Sequence, residues 1–249
     1  MTYKAVIFDL DGTAISNAQQ SLPTKRLIDA IKAAERKYKF CAATGRPITN
    51  AAGILGALGL VDPCVISAGT EIIDPLTKKI LWNCLISPED ATEILKICNP
   101  YDYELLINNE LVGEGKPAST RFDVSEANVM YLMQVSPEDT KAIMSELDKL
   151  EGVIASEVPS WTYKNIDIHI TNKYATKEHV ITELLKVLGI KKEATIGVGD
   201  GNNDVHLFKA VGLKVAMGNA TDLLKSQADQ VIETVDNDGL AKFIEDLLR

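Results

Sequence analysis

Short apolar runs alternate with amphipathic segments at both ends of this 249-residue chain, and the middle breaks the rhythm. Up to residue 84 the pattern predicts a strand over 4–10, a helix near 24–37, a strand over 39–43, a helix near 47–58 and a strand over 64–68. It resumes with a helix over 176–188, a strand over 194–198, a helix near 203–211, a strand over 213–217, a helix near 221–227, a strand over 229–233 and a helix over 238–248. Strands that alternate with helices are joined by right-handed crossovers, so their sheet is parallel and covered on both faces. Residues 1–84 and 172–249 are therefore expected in one doubly wound α/β core.

Residues 85–171 read as a separate α+β unit. Ser87-Pro88-Glu89-Asp90, followed by Ile94, recurs as Ser136-Pro137-Glu138-Asp139, followed by Ile143. Each is a helix start, with Ser as N-cap, Pro in the first position and an acid in the third. Strand-like alternation follows the first at 103–107, 111–113 and 128–134, and the second at 153–157 and 161–171. An insertion of this kind fits the tolerance of surface loops for inserted domains and is expected as a cap domain on the core.

The strand ends carry the chemistry. Ala5-Val6-Ile7-Phe8 runs into Asp9-Leu10-Asp11-Gly12-Thr13, which sets two carboxylates on one side of the chain. They coexist when a divalent cation lies between them, or when one is held protonated and the other is a nucleophile. A plain Asp-Gly turn is the alternative. A calcium loop is excluded, because Ala14 and Gln20 stand where the turn Gly and closing Glu belong. A second acidic loop, Asp200-Gly201-Asn202-Asn203-Asp204, follows the apolar run 194–199 and fails the calcium test at Val205 and Val211. Open parallel sheets bind ligands at the carboxyl ends of their strands. If both strands share the sheet, Asp9, Asp11, Asp200 and Asp204 converge on one metal. Thr44-Gly45-Arg46 follows another strand-like run, and its hydroxyl and free N–H groups suit phosphate oxygens, with Arg46 adding charge. Lys177 opens an amphipathic helix against the helix dipole, a mild misfit that suits a Lys aimed at an anion.

In this order, Asp-Leu-Asp-Gly-Thr, Thr-Gly-Arg, Lys and Gly-Asp-Gly-Asn-Asn-Asp, the motifs resemble those of the haloacid dehalogenase superfamily of phosphatases. Val215-Ala216-Met217-Gly218-Asn219-Ala220 and Asp238-Gly239-Leu240-Ala241 resemble its Cof-like branch, which has a large α/β cap. The chain departs from that branch at Lys177-Glu178, at Ser67-Ala68-Gly69-Thr70 and at His206-Leu207, without losing a catalytic group. The resemblance implies Asp9 as nucleophile and Asp11 as general acid and base. It implies Mg2+ held by Asp9, the Asp11 main-chain carbonyl and Asp200, with Asp204 direct or through water. Thr44, Gly45 and Lys177 would bind the phosphoryl oxygens, Asn203 would orient Lys177 or a metal-bound water, and Arg46 would contact substrate.

The implied activity is hydrolysis of a small phosphomonoester, a sugar phosphate or a phosphoglycolate-like metabolite, through an aspartyl-phosphate. Cap contacts to it are expected among Lys116, Arg121, Trp161, Tyr163 and Lys164. A phosphomutase of the same fold would keep every motif. A signalling receiver also uses an Asp pair, a Thr and a Lys, but needs only ~120 residues and does not carry its phosphoacceptor on the first strand.

A net charge of −9 argues against a nucleic-acid partner. Cys41, Cys64, Cys84 and Cys98 show no Cys-x-x-Cys spacing and read as thiols in a reducing compartment, with a single disulfide left open. His169, His179 and His206 lack zinc spacing. The start runs directly into a strand without a signal segment, and no apolar stretch approaches ~20 residues. A cytoplasmic enzyme is the expectation, and the oligomeric state is left open.

Overall fold

The structure, a computed structural model, describes residues 2–16, 21–108, 110–111, 124–160 and 164–249. Its first segment holds β1 (Ala5–Phe8), α1 (Lys25–Ala34), β2 (Lys39–Ala42), α2 (Ile48–Ala57), β3 (Cys64–Ile66), β4 (Glu71–Ile73) and β5 (Ile80–Asn83). The middle holds α3 (Pro88–Cys98), β6 (Glu104–Ile107), β7 (Glu110–Leu111), β8 (Val129–Val135), α4 (Pro137–Leu147), β9 (Val153–Pro159) and β10 (Ile166–Asn172). The last segment holds α5 (Lys177–Leu188), β11 (Thr195–Gly199), α6 (Asp204–Ala210), β12 (Leu213–Ala216), α7 (Asp222–Gln227), β13 (Gln230–Val231) and α8 (Gly239–Asp246). The chain divides into two units, 1–82 with 176–249, and 83–175.

The first unit is built on a parallel sheet of order β13-β12-β11-β1-β2. Side chains alternate across it, as strand geometry requires. Val6 and Phe8 pack into one apolar cluster with Leu27 and Ile31 of α1, Leu55 of α2 and Phe243 and Ile244 of α8. Ile7 packs on the other face with Val180, Ile181 and Leu184 of α5 and Leu207 of α6. This is the doubly wound α/β core, with helices on both faces. Among the described residues no helix is long and apolar enough to cross a membrane.

The third strand departs from expectation. β3 ends at Ile66 and pairs antiparallel with β4 in a small sheet of order β3-β4-β5. It meets the main sheet through one bridge, Ala43 to Val65. Residues 67 and 68, expected in the strand, instead turn left-handed at φ 52° and 56°, and the Thr70 hydroxyl closes that turn on the Ser67 carbonyl. The β4–β5 connection was also not anticipated. Asp74 makes it, accepting the Leu76 and Thr77 N–H groups at 2.8 and 3.0 Å, which is the turn chemistry of a short acidic side chain.

The second unit is an antiparallel sheet of order β7-β6-β8-β10-β9. Met130, Leu132, Ile168 and Ile170 of the sheet pack with Ile94 of α3 and Ile143 and Leu147 of α4. The Asn172 side chain donates to the Leu85 carbonyl at 2.7 Å and the Lys173 N–H to Gly152, which ties residues up to Ala175 to this unit. Both recurring helix starts are capped alike. Ser87 Oγ accepts the Asp90 N–H at 3.0 Å, and Ser136 Oγ accepts the Asp139 N–H at 3.1 Å. Ser136→Ala should lower the unfolding free energy by about 1 kcal/mol, whereas Ser136→Asn keeps most of it, as read by denaturant titration.

Candidate active site

β1 and β11 lie side by side where the strand order reverses: the chain leaves β1 towards β2 on one side, and β11 towards β12 on the other. The connections therefore part above these two strands and leave a crevice at their carboxyl ends. Asp9 follows β1 directly, anchored by its N–H to the Val198 carbonyl of β11 at 3.0 Å. Leu10 is buried between Asp9 and Asp11, and the Ala14 and Ile15 N–H groups turn back onto its carbonyl at 2.9 Å. Gly12 has φ +77°, and a Cβ there would collide with the Asp200 carboxylate, so the two acidic loops approach only across a glycine.

Lys177 stands at the first position of α5, with Thr176 as N-cap. Its ammonium lies between two carboxylates, 2.5 Å from Asp9 Oδ1 and 2.6 Å from Asp204 Oδ1. All three residues are buried, which strengthens the pairing and penalises any charge left over. The second Asp204 oxygen accepts the N–H groups of Asp200 and Gly201, both at 3.0 Å, so this carboxylate shapes the turn that presents Asp200. Asp200 Oδ1 accepts the Thr13 hydroxyl at 2.9 Å. Asn219 ties the loops together: its Nδ2 donates to the Gly12 carbonyl at 2.8 Å, and its Oδ1 accepts the Val235 N–H at 2.9 Å.

The charges do not balance. Asp9, Asp200 and Asp204 bring carboxylate oxygens within 4.8 Å of one another, against one ammonium. Burial pushes Asp9 up to about 7, with Lys177 opposing and Asp204 and Asp200 adding to the rise. Burial also raises Asp200 to about 6, with Thr13 opposing and Asp204 adding. For Lys177 burial acts downwards, but Asp9 and Asp204 outweigh it and hold the ammonium charged. Hard oxygen donors with surplus negative charge fit a divalent cation of the magnesium or calcium kind.

Thr44, Gly45 and Arg46 leave β2 as one turn, strapped to the left-handed residues. Ser67 N–H donates to the Arg46 carbonyl at 2.8 Å, and Ala68 N–H to the Gly45 carbonyl at 3.1 Å. Thr44 Oγ1 accepts the Arg46 N–H at 3.1 Å, while its own proton and the Gly45 N–H are used by no described residue. Those two donors suit an anion's oxygens.

Arg46 is paired with Asp11, through Nε to Oδ2 at 2.8 Å and Nη2 to Oδ1 at 2.5 Å. Asn203 is exposed ahead of α6, and the hydrogen bonds of Lys177 go to carboxylates, which leaves for Asn203 the expected contact with a metal-bound water. Thr13 and Asn219 were not singled out as site residues, since their work is to join loops that only the fold brings together. Lys164 is exposed; Lys116, Arg121, Trp161 and Tyr163 lie outside the described residues. All four cysteines are free thiols.

A family described as haloacid dehalogenase-like hydrolase matches residues 6–244. Pyridoxal phosphate phosphatase YbhA of Escherichia coli (strain K12) is 24% identical over 271 residues, covering 98% of this chain and 98% of that protein. 5-Amino-6-(5-phospho-D-ribitylamino)uracil phosphatase YcsE of Bacillus subtilis (strain 168) is 26% identical over 255 residues, covering 97% and 94%. A solved haloacid dehalogenase-like hydrolase from Bacteroides thetaiotaomicron has a similar fold, with a TM-score of 0.82 at 22% identity over 99% of this chain and 100% of that one.

The aspartates of one loop should respond oppositely to substitution. Asp9 and Asp200 have raised folded pKa values, so each contributes stability that is present in full below 3.8 and lost as pH rises to about 7 and about 6, respectively. In metal-free buffer at neutral pH, Asp200→Asn should raise the thermal midpoint and flatten its fall between pH 4 and 7. Asp204→Ala should instead lower stability by about 3–5 kcal/mol, because it strips Lys177 and two N–H groups of a buried acceptor. Calorimetry across pH checks both.

Proposed function

The chain belongs to the haloacid dehalogenase-like hydrolase family and is a phosphatase, and from that premise we propose that it hydrolyses a small phosphorylated metabolite through an aspartyl-phosphate on Asp9. The observation that carries the reading is the Lys177 ammonium between Asp9 and Asp204 at the open ends of β1 and β11. A nucleophilic carboxylate needs a fixed cation beside it to accept a phosphoryl dianion.

In this mechanism an Asp9 oxygen attacks phosphorus while the bond to the leaving oxygen breaks. Asp11, two residues on, gives that oxygen a proton and later takes one from the water that attacks the acyl phosphate, freeing Asp9. The Thr44 hydroxyl, the Gly45 N–H and Lys177 hold the transferring oxygens. Asp9, the Asp11 main-chain carbonyl and Asp200 would hold magnesium, with Asp204, whose oxygens also take Lys177 and the Asp200 turn, acting directly or through water. When bound, magnesium neutralises charge on the phosphate and the carboxylates.

The second unit, inserted between the Thr44–Arg46 turn and Lys177, selects the substrate in this reading. The substrate class is a sugar phosphate or a phosphoglycolate-like acid, and relatives named for pyridoxal phosphate and for a phosphoribitylamino-uracil support a small metabolite.

Chelation should abolish phosphate release and magnesium restore it, with calcium a poor substitute because it accepts looser coordination. Full turnover in metal-free buffer would rule the metal role out. Asp9→Asn should form no phosphoenzyme with any ester. Asp11→Asn should still label Asp9 but lose about 10²–10⁴-fold on alkyl phosphates and much less in the first step with p-nitrophenyl phosphate, whose phenolate leaves unaided. Single-turnover kinetics with acid-quench trapping checks this, and label on any other residue would overturn the assignment.

A further inference from the structure

We propose that Arg46 is a positioning residue that acts through Asp11, aiming its carboxylate for proton transfer, and is not a grip on the phosphoryl group. The inference rests on the phosphatase reading above. Its geometric basis is the two-point pairing, in which Nε and Nη2 each take one Asp11 oxygen, at 2.8 and 2.5 Å. A planar fork on a planar carboxylate fixes both the direction and the rotation of that group, which a single donor cannot do.

The fork itself is held from behind. The Arg46 N–H donates to Thr44 Oγ1, its carbonyl accepts the Ser67 N–H at 2.8 Å, and Pro47 begins the next helix at φ −68°. The brace on the carbonyl comes from a turn in which Ser67, Ala68 and Gly69 all have positive φ. Two non-glycine residues in that region are uncommon, and such strain persists only where surroundings over-determine it.

Stability does not account for the arrangement. The side chains of Arg46 and Asp11 are 27% and 36% exposed, and ion pairs that open to water contribute little to folding. Asp11, by contrast, lies within the tight turn that begins at Leu10 and has this one described side-chain partner. Without the fork its carboxylate is free to rotate, and misplacement of an acid by about 1 Å costs on the order of 10²-fold in rate.

The proton balance is unchanged by Arg46. As the Asp9–phosphorus bond forms and the ester bond breaks, the Asp11 proton goes to the leaving oxygen. In the second step Asp11 recovers a proton from water, whose oxygen bonds to phosphorus as Asp9 departs. The guanidinium donates hydrogen bonds throughout and exchanges no proton.

The test is a double-mutant cycle with Arg46→Ala, Arg46→Lys and Asp11→Asn, using single-turnover rates on an alkyl sugar phosphate and on p-nitrophenyl phosphate. Arg46→Ala should slow phosphorylation by the alkyl ester about 10–10²-fold and by p-nitrophenyl phosphate less than about threefold, with KM for both nearly unchanged. Arg46→Lys keeps the charge but not the fork, so it should recover little on the alkyl ester. In the Asp11→Asn background Arg46→Ala should add no further loss. Equal losses on both esters, a KM rise shared by both with kcat intact, full rescue by Arg46→Lys, or additive losses would each overturn the proposal. If Arg46→Ala does not fold, the Arg46→Lys comparison alone decides. Absence of label on Asp9 in the unsubstituted protein would instead overturn the phosphatase mechanism itself, whereas a labelled Asp9 with additive losses overturns only the role of Arg46.

Discussion

One buried ammonium organises the catalytic end of this protein. Lys177 neutralises part of the charge of Asp9 and Asp204, carboxylates carried by β1 and by the first turn of α6. Without it, two acids buried within a few ångströms of each other would have to take up protons or separate. With it, the Asp9 loop, the Asp200 turn and the start of α5 are pinned to a single point. Asp200 adds a third carboxylate beyond what the ammonium balances; burial above all, with the neighbouring carboxylates adding, raises the pKa values of Asp9 and Asp200, and the cluster suits a cation.

The sheet makes that convergence possible. Residues 9 and 200 are far apart in the chain but follow neighbouring strands, with Phe8 paired to Val198 in register. Because the connections from β1 and β11 run to opposite sides, no crossover among the described residues occupies the space above them. Backbone groups then do much of the positioning. The Val198 carbonyl holds Asp9, the Asp200 carbonyl receives Thr221, and the Ser67 and Ala68 N–H groups hold the Thr44–Arg46 turn. The Thr13 and Asn219 side chains join the loops sideways. The site is a set of strand ends stitched together by several independent anchors.

The second unit follows different rules. Its helices start on the same Ser-Pro-acid signal, and in each the hydroxyl also donates to the acid, at 2.8 Å in α3 and 3.0 Å in α4. These local devices set where the helices begin. The antiparallel sheet beneath them supplies the apolar face they bury, and the unit has its own apolar cluster, separate from those of the first.

Much was legible in the sequence because it is written in local patterns. Period-2 and period-3.6 apolar spacing marked the strands and helices of the doubly wound core, and Ser-Pro-acid marked the starts of α3 and α4. The Asp9–Asp11 pair alone left a plain Asp-Gly turn open, and it was the second acidic loop, Thr44-Gly45-Arg46 and Lys177 in their order that singled the pair out. The sequence did not disclose the left-handed turn at Ser67 and Ala68, since neither residue favours positive φ and only the brace to Arg46 and Gly45 holds it there. It did not disclose that β3 leaves the main sheet for a hairpin, because three apolar residues fit either partner equally well. Nor did it say which charge meets which. Arg46 stands on Asp11, a pairing no motif spells out, and Asn203, expected to orient Lys177 or a metal-bound water, is exposed and not among the partners of Lys177. Composition and spacing determine which groups a chain can bring to a site. Pairing between charges depends on distances of a few ångströms, and those exist only once strands distant in the sequence lie side by side.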